Sequence, residues 1–232
     1  MSEKSNENSD KETSNIKKLP VLYSLRNCPY AMRARLAIFK AKQTVLLRDL
    51  VLSNKPVEMI TASSKGTVPV LVLANNEVID ESLAVMLWVL KQTDPDDLLH
   101  RHEEKALSVM LILINEFDRD FKTSLAAYQC AKRYQEDNIT QCRAVCETYI
   151  QRLEQRLNEH RYLMSEKESL LDIALMPFIR QFARIERQWY LQSPYPKVRR
   201  WLNGYLQSAV FTQVMAKHPL WVDNRQAVFF GG

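Results

Sequence analysis

At 232 residues, with 46% hydrophobic and 25% charged side chains, the chain is long enough for two domains with separate cores and has the balance of an ordinary globular protein. Its longest apolar stretches, such as Val109 to Ile114, are far too short to span a bilayer, and the net charge of +5 comes without a recognisable nucleic-acid motif or aromatic-basic stacking run, so membrane and nucleic-acid functions are set aside. Four cysteines without a secretory signal argue for a reducing, cytoplasmic setting.

Residues 1–18 are polar, with Lys4, Lys11, Lys17 and Lys18 against Glu3, Glu7, Asp10 and Glu12, which predicts a disordered tail and not a signal peptide. The apolar run Val21 to Leu25 predicts a strand, Pro29 to Ala41 an amphipathic helix, and Thr44 to Leu50 a second strand, together a βαβ crossover unit. Cys28 stands at the junction of the first strand and the helix. Proline is pre-organised for the first helical position, so Cys28 falls at the N-cap with its sulfur facing the amides of Tyr30 and Ala31. Helix N-termini lower a cysteine pKa from about 8.5 into a range of roughly 3.5 to 7.5, so a nucleophilic thiolate is expected at neutral pH.

A short helix follows near Val57 to Ala62, then Gly66-Thr67-Val68-Pro69. Proline entering the apolar run Val70-Leu71 marks an edge or a cis bond, and a cis Val68–Pro69 bond would turn the Val68 amide and carbonyl toward an extended ligand such as a peptide. Pro69 to Leu73, the turn Asn75-Asn76 and Glu77 to Ile79 predict a hairpin leading into a helix from Glu81 to about Lys91. At Glu81-Ser82 the helix amides would hold a carboxylate and Glu81 an ammonium group. Thiol, backbone clamp and amino-acid clamp together suit a small thiol peptide. Residues 19–93 carry nine basic and five acidic side chains, and Arg26, Arg33, Arg35, Lys40, Lys42, Lys55 and Lys65 are expected to crowd the site, attract an anionic peptide and support the thiolate.

Thr93 to Asp97 reads as a polar linker, after which the pattern is helical: Leu98 to Tyr128, Gln135 to Asn158, Leu170 to Arg187, Pro196 to Leu206 and Ala209 to Lys217. Ser169-Leu170-Leu171-Asp172 has the form of a capping box and is assigned to folding, not catalysis. The aromatic side chains of these helices are assigned to the core. Cys130, Cys142 and Cys146 are read as reduced thiols, since the four histidines give no zinc-type spacing with them and no metal is expected. Residues 227–232 either fold over a cleft or stay loose.

The order Cys28-Pro29-Tyr30, Asn54-Lys55-Pro56, Val68-Pro69-Val70-Leu71 and Glu81-Ser82 resembles the thioredoxin-fold half of cytosolic glutathione transferases, most closely the cysteine-type omega class. The resemblance spans about residues 19 to 92. It implies a thioredoxin-like glutathione-binding domain over 19–92, a linker over 93–97 and an all-helical domain over 98–232. It also implies glutathione as co-substrate, a homodimer, and a second co-substrate that is a small molecule or a mixed disulfide. In such proteins the cysteine matching Cys28 forms a mixed disulfide with glutathione, and the residue matching Tyr30 lines the tripeptide pocket. Val68 beside Pro69 pairs with the cysteinyl backbone, Glu81 and Ser82 hold the γ-glutamyl end, and Lys55 contacts the glycine carboxylate.

Related dithiol proteins carry a second cysteine where this chain has Ala31, so the implied reaction is a monothiol thiol-transferase or reductase cycle, dehydroascorbate reduction among its uses. The alternatives are conjugation of glutathione to an electrophile, with Tyr23 or Ser24 acting on its thiol, and a non-catalytic binding protein of this fold. Tyr23 reads first as a core aromatic, and Ser24 has no histidine near it in sequence to serve as base.

Overall fold

Val21–Ser24 (β1) and Val45–Asp49 (β2) run parallel, linked by the helix Pro29–Lys40 (α1), in a computed structural model that describes residues 19–226 and 228–232. The tail expected over residues 1–18 lies outside the described residues. Val57–Ala62 (α2) leads to Val70–Val72 (β3), antiparallel to β1, and Val78–Ile79 (β4) pairs with β3 through the turn at Asn75-Asn76. Ser82–Gln92 (α3) then packs along α1. This is the mixed sheet of a thioredoxin-like domain.

The core of this unit is built from β-branched and aliphatic side chains. Leu22, Val45, Val70 and Leu71 of the sheet, Met32, Leu36 and Ile38 of α1, and Val85, Met86 and Val89 of α3 are all fully or almost fully buried. Each such side chain contributes about 1.5–3 kcal/mol by leaving water. Charged side chains lie among them, Arg33, Arg35 and Asp49. Arg35 is wholly buried, its Nη2 2.8 Å from Asp49 Oδ1 and its Nε donating to Ser24 Oγ at 2.7 Å, so the pair ties α1 to both parallel strands.

A fifth strand comes from the far part of the chain. Val228–Phe230 (β5) pairs antiparallel with β2, Val45 opposite Phe230 and Leu47 opposite Val228, giving the strand order β4-β3-β1-β2-β5. The turn after it needs glycine: Gly231 has φ +99°, and a Cβ there would stand 2.1 Å from the carbonyl oxygen of Gln43. By internal contacts the chain divides into two compact units, one of residues up to Thr93 together with Gln213–Gly232, the other Asp94–Thr212. The expected helical domain over 98–232 therefore ends early, because residues 228–230 find an unpaired strand edge in the sheet.

The second unit is helical. Ala106–Tyr134 (α4) and Ile139–Glu159 (α5) pack together, and Leu170–Ile185 (α6) is buried over most of its length. Arg187–Gln192 (α7), Pro196–Leu206 (α8) and Ala209–Val214 (α9) follow, and Trp221–Asn224 (α10) returns to the first unit. The long helix begins at Ala106 and not at Leu98, because Asp94 accepts from the amides of Leu98 and Leu99 at 2.9 Å each, while Asp97 and His100 take positive φ. The core of this unit is aromatic, with Phe117 stacked on Phe121 at 4.4 Å and Phe182 near Phe121, Tyr128 and Trp189.

The capping box of α6 is formed and lies at the centre of a buried network. The Asp172 carboxylate accepts from the Ser169 amide and hydroxyl, from the Leu163 amide and from Trp201 Nε1, at 2.6 to 3.0 Å. Among the described residues no helix is long and apolar enough to cross a membrane.

Candidate functional site

Cys28 is the N-cap of α1, with Pro29 in the first helical turn, its own amide bonded to Leu25 O at 3.0 Å and its carbonyl accepting from Met32 at 2.9 Å. Its half-buried sulfur lies 4.0 Å from the carbonyl oxygen of Val68. The Val68–Pro69 peptide is cis.

Burial works against the expected thiolate. Burial pushes the Cys28 thiol above its ordinary value, and the amides of Ala31 and then Tyr30 pull it down by less. The thiol makes no capping hydrogen bond, which leaves those amides short of what burial costs. The arginines expected around it are engaged with other groups or buried. Arg35 is committed to Asp49 and Ser24, Arg33 is buried within α1, and Arg26 donates to Met215 O at 3.4 Å.

The loop 63–69 connects the remaining candidates. Gly66 turns there with φ +62°, and a Cβ on it would meet Lys55 Nζ at 3.1 Å, so the Lys55 ammonium lies over this turn, two residues from Val68. Buried Ser63 donates to Asp80 Oδ2 at 2.7 Å, and Lys65 Nζ donates to Asp80 Oδ1 at 3.0 Å and to Glu81 Oε1 at 2.7 Å. Ser63 first, and then Lys65, hold the Asp80 carboxyl below the usual range. Glu81 is the N-cap of α3, its side chain largely exposed, and Ser82 is buried on the first turn. Tyr30 is half-buried on the first turn of α1. One loop thus touches Cys28 through Val68, Lys55 through Gly66, and Glu81 through Lys65.

The two rival hydroxyls are engaged elsewhere. Tyr23 is buried, accepts from Arg48 Nη1 at 2.5 Å and meets Trp221 edge-on, with ring centroids 6.2 Å apart. Burial raises its pKa, and Arg48 opposes that. Ser24 is wholly buried under Arg35.

Two features escape a reading of the sequence. Asp80 beside Glu81 doubles the acidic site, a signal present in the dipeptide. Trp221 joins Tyr23, Ala31, Leu50, Met59, Val68 and Val70 in the cluster against which Cys28 packs, and Arg225 pairs with Glu58 at the start of α2. Nothing local to residues 221–225 announces that neighbourhood.

The model for the glutathione S-transferase N-terminal domain matches residues 22–96, and that for the C-terminal domain matches residues 136–204. Glutathione S-transferase omega-1 of Mus musculus is 25% identical over 198 residues, 82% of this chain and 77% of the relative. A glutathione transferase family member from Pseudomonas fluorescens, solved with two glutathione bound, superposes with a TM-score of 0.74 at 16% identity, covering 86% of this chain and 93% of that one. A glutathione S-transferase from Methylobacillus flagellatus with glutathione bound gives 0.70 at 19% identity over 85% of this chain and all of the other. These structural likenesses establish the shared fold.

Proposed function

Because the chain belongs to the glutathione S-transferase family, we propose that it is an omega-like, cysteine-type member that carries out glutathione-dependent thiol transfer with Cys28 as nucleophile. The observation that carries this reading is the Cys28 sulfur at the N-cap of α1, 4.0 Å from the Val68 carbonyl. Glutathione would be held by Val68 beside Pro69 on its cysteinyl backbone, by Glu81 and Ser82 at the γ-glutamyl end, and by Lys55 at the glycine carboxylate, with Tyr30 lining the site.

The thiolate of Cys28 attacks the glutathione sulfur of a mixed disulfide. A Cys28–glutathione disulfide forms, the original S–S bond breaks, and the departing thiol carries away the proton equivalent that Cys28 gave up. A second glutathione then attacks that disulfide, releasing oxidised glutathione and restoring the Cys28 thiol. Ala31 supplies no resolving sulfur, so the cycle is monothiol. Dehydroascorbate is a further oxidant that two glutathiones reduce through the same intermediate. The same reading makes the protein a cytoplasmic homodimer, supported by the exposed apolar side chains Val109 and Ile112 on α4 and Val145 on α5.

One observation favours a second reading. Burial disfavours the Cys28 thiolate, and a Cys28 thiol that keeps its proton can donate a hydrogen bond to the sulfur of bound glutathione, and so support conjugation to an electrophile in place of disulfide exchange. The readings separate on incubation with oxidised glutathione. Thiol transfer requires one glutathionyl adduct on Cys28, removable by reduced glutathione, and loss of transfer in Cys28→Ser. Absence of the adduct together with retained conjugation in Cys28→Ser, where a hydroxyl can still donate, moves the assignment to the second reading.

A further inference from the structure

Two adjacent carboxylates share one ammonium group. Lys65 Nζ lies 3.0 Å from Asp80 Oδ1 and 2.7 Å from Glu81 Oε1. The two acceptors are not held alike. Asp80 is fixed by the hydroxyl of buried Ser63 at 2.7 Å, whereas Glu81 extends into solvent with 71% of its side chain exposed. Lys65 can therefore release Glu81 and keep a charge partner in Asp80.

The lysine head is a compact ammonium with three donors, the same chemistry as the α-amino end of a γ-glutamyl peptide. Two such groups compete for the Glu81 carboxylate. From this geometry we propose that Lys65 is an internal stand-in for the ligand ammonium, seated on Glu81 in the free protein and displaced onto Asp80 when a γ-glutamyl ligand binds. The proposal rests on the reading of Glu81 as the ammonium clamp.

The exchange has two consequences. Apparent affinity is reduced by the fraction of protein in which Glu81 is already occupied. An exposed pair of this kind shifts such an equilibrium by about two- to fivefold. The reduction applies only to ligands that need Glu81, because a peptide without the α-amino group leaves Lys65 where it is.

The test is calorimetric titration of the full chain, kept reduced with a non-thiol reductant, against reduced glutathione and against its deaminated analogue. Lys65→Met is expected to bind glutathione about two- to fivefold more tightly and the analogue unchanged, while Lys65→Arg, which keeps a cation at the site, stays close to the parent protein. Glu81→Gln in the Lys65→Met background should erase the gain. If Lys65→Met weakens glutathione binding, leaves it unchanged, or tightens both peptides equally, the proposal is overturned while the clamp stands. If the parent protein binds both peptides alike, the clamp reading itself fails and takes the proposal with it.

Discussion

The guanidinium of Arg48 lies over the ring of Trp221, 4.0 Å from its centroid, while the same group donates to the hydroxyl of Tyr23. Arg225 lies 4.2 Å from the same ring. Residues from β1, β2 and α10 are thereby joined at the cluster that supports Cys28.

Trp221→Ala should remove that junction. Truncating a buried tryptophan costs about 3–5 kcal/mol, and the cations stacked on it lose their partner. Denaturant unfolding followed by circular dichroism should show a clear loss of stability. A change under about 1 kcal/mol would show that the terminal segment adds little to the first unit.

Cys28 should titrate as a buried thiol in the free protein. Burial disfavours the charged form, so its pKa rises and the thiolate fraction falls at any given pH. Pulsed alkylation with iodoacetamide, read peptide by peptide in the mass spectrometer, should give exposed Cys130 the fastest labelling at pH 7. Cys28 should accelerate only as the pH rises past the ordinary thiol range. Cys146, pushed up to about 12 by burial, should label last. An apparent pKa below 7 for Cys28 contradicts the burial argument.

Glu81→Ala should weaken glutathione binding about tenfold with the fold unchanged. A charge-assisted hydrogen bond contributes about 1.5–3 kcal/mol, and the lower end applies to a carboxylate that is exposed and already shared with Lys65. Calorimetry on the variant checks it, and equal affinities would place the amino-acid clamp elsewhere.

Asp172→Ala should strand buried donors on Leu163, Ser169 and Trp201, at a cost of about 3 kcal/mol or more. The carboxyl also couples stability to pH. Burial first of all raises its pKa to about 6, above the roughly 3.9 of an unfolded aspartate, so the native state binds its proton more tightly. This contribution is full below about pH 4 and is lost as pH rises through 6. The stability gap between the parent protein and Asp172→Asn should therefore be wider at pH 4.5 than at pH 7, by about 2 kcal/mol. A gap that widens toward pH 7 reverses the sign and refutes the account.

Much of the fold was legible in the sequence because its signals are local. Pro29 after Cys28 marks the start of α1, Asn75-Asn76 the hairpin, and Ser169 with Asp172 the cap of α6. What stayed hidden depends on distant partners. Arg33 and Arg35 read as charges near a thiol, but α1 is enclosed over most of its surface, and Arg35 turns to Asp49 on a strand beyond it. The Cys28 thiol illustrates the same limit, since a helix N-terminus can be read from Pro29 while the burial that outweighs it comes from α2, β3 and α10. Strand β5 is three residues long, and only the open edge of β2 gives it a place.

That placement bears on how the protein is made. A ribosome delivers β1 to β4 and α3 early, but β2 gains its second neighbour only after the whole helical unit has been synthesised. Until then one flank of the nascent sheet presents unpaired amides and carbonyls, the kind of surface on which another chain can template. The helical unit is, in biosynthetic terms, an interval during which the first unit waits for its closing strand.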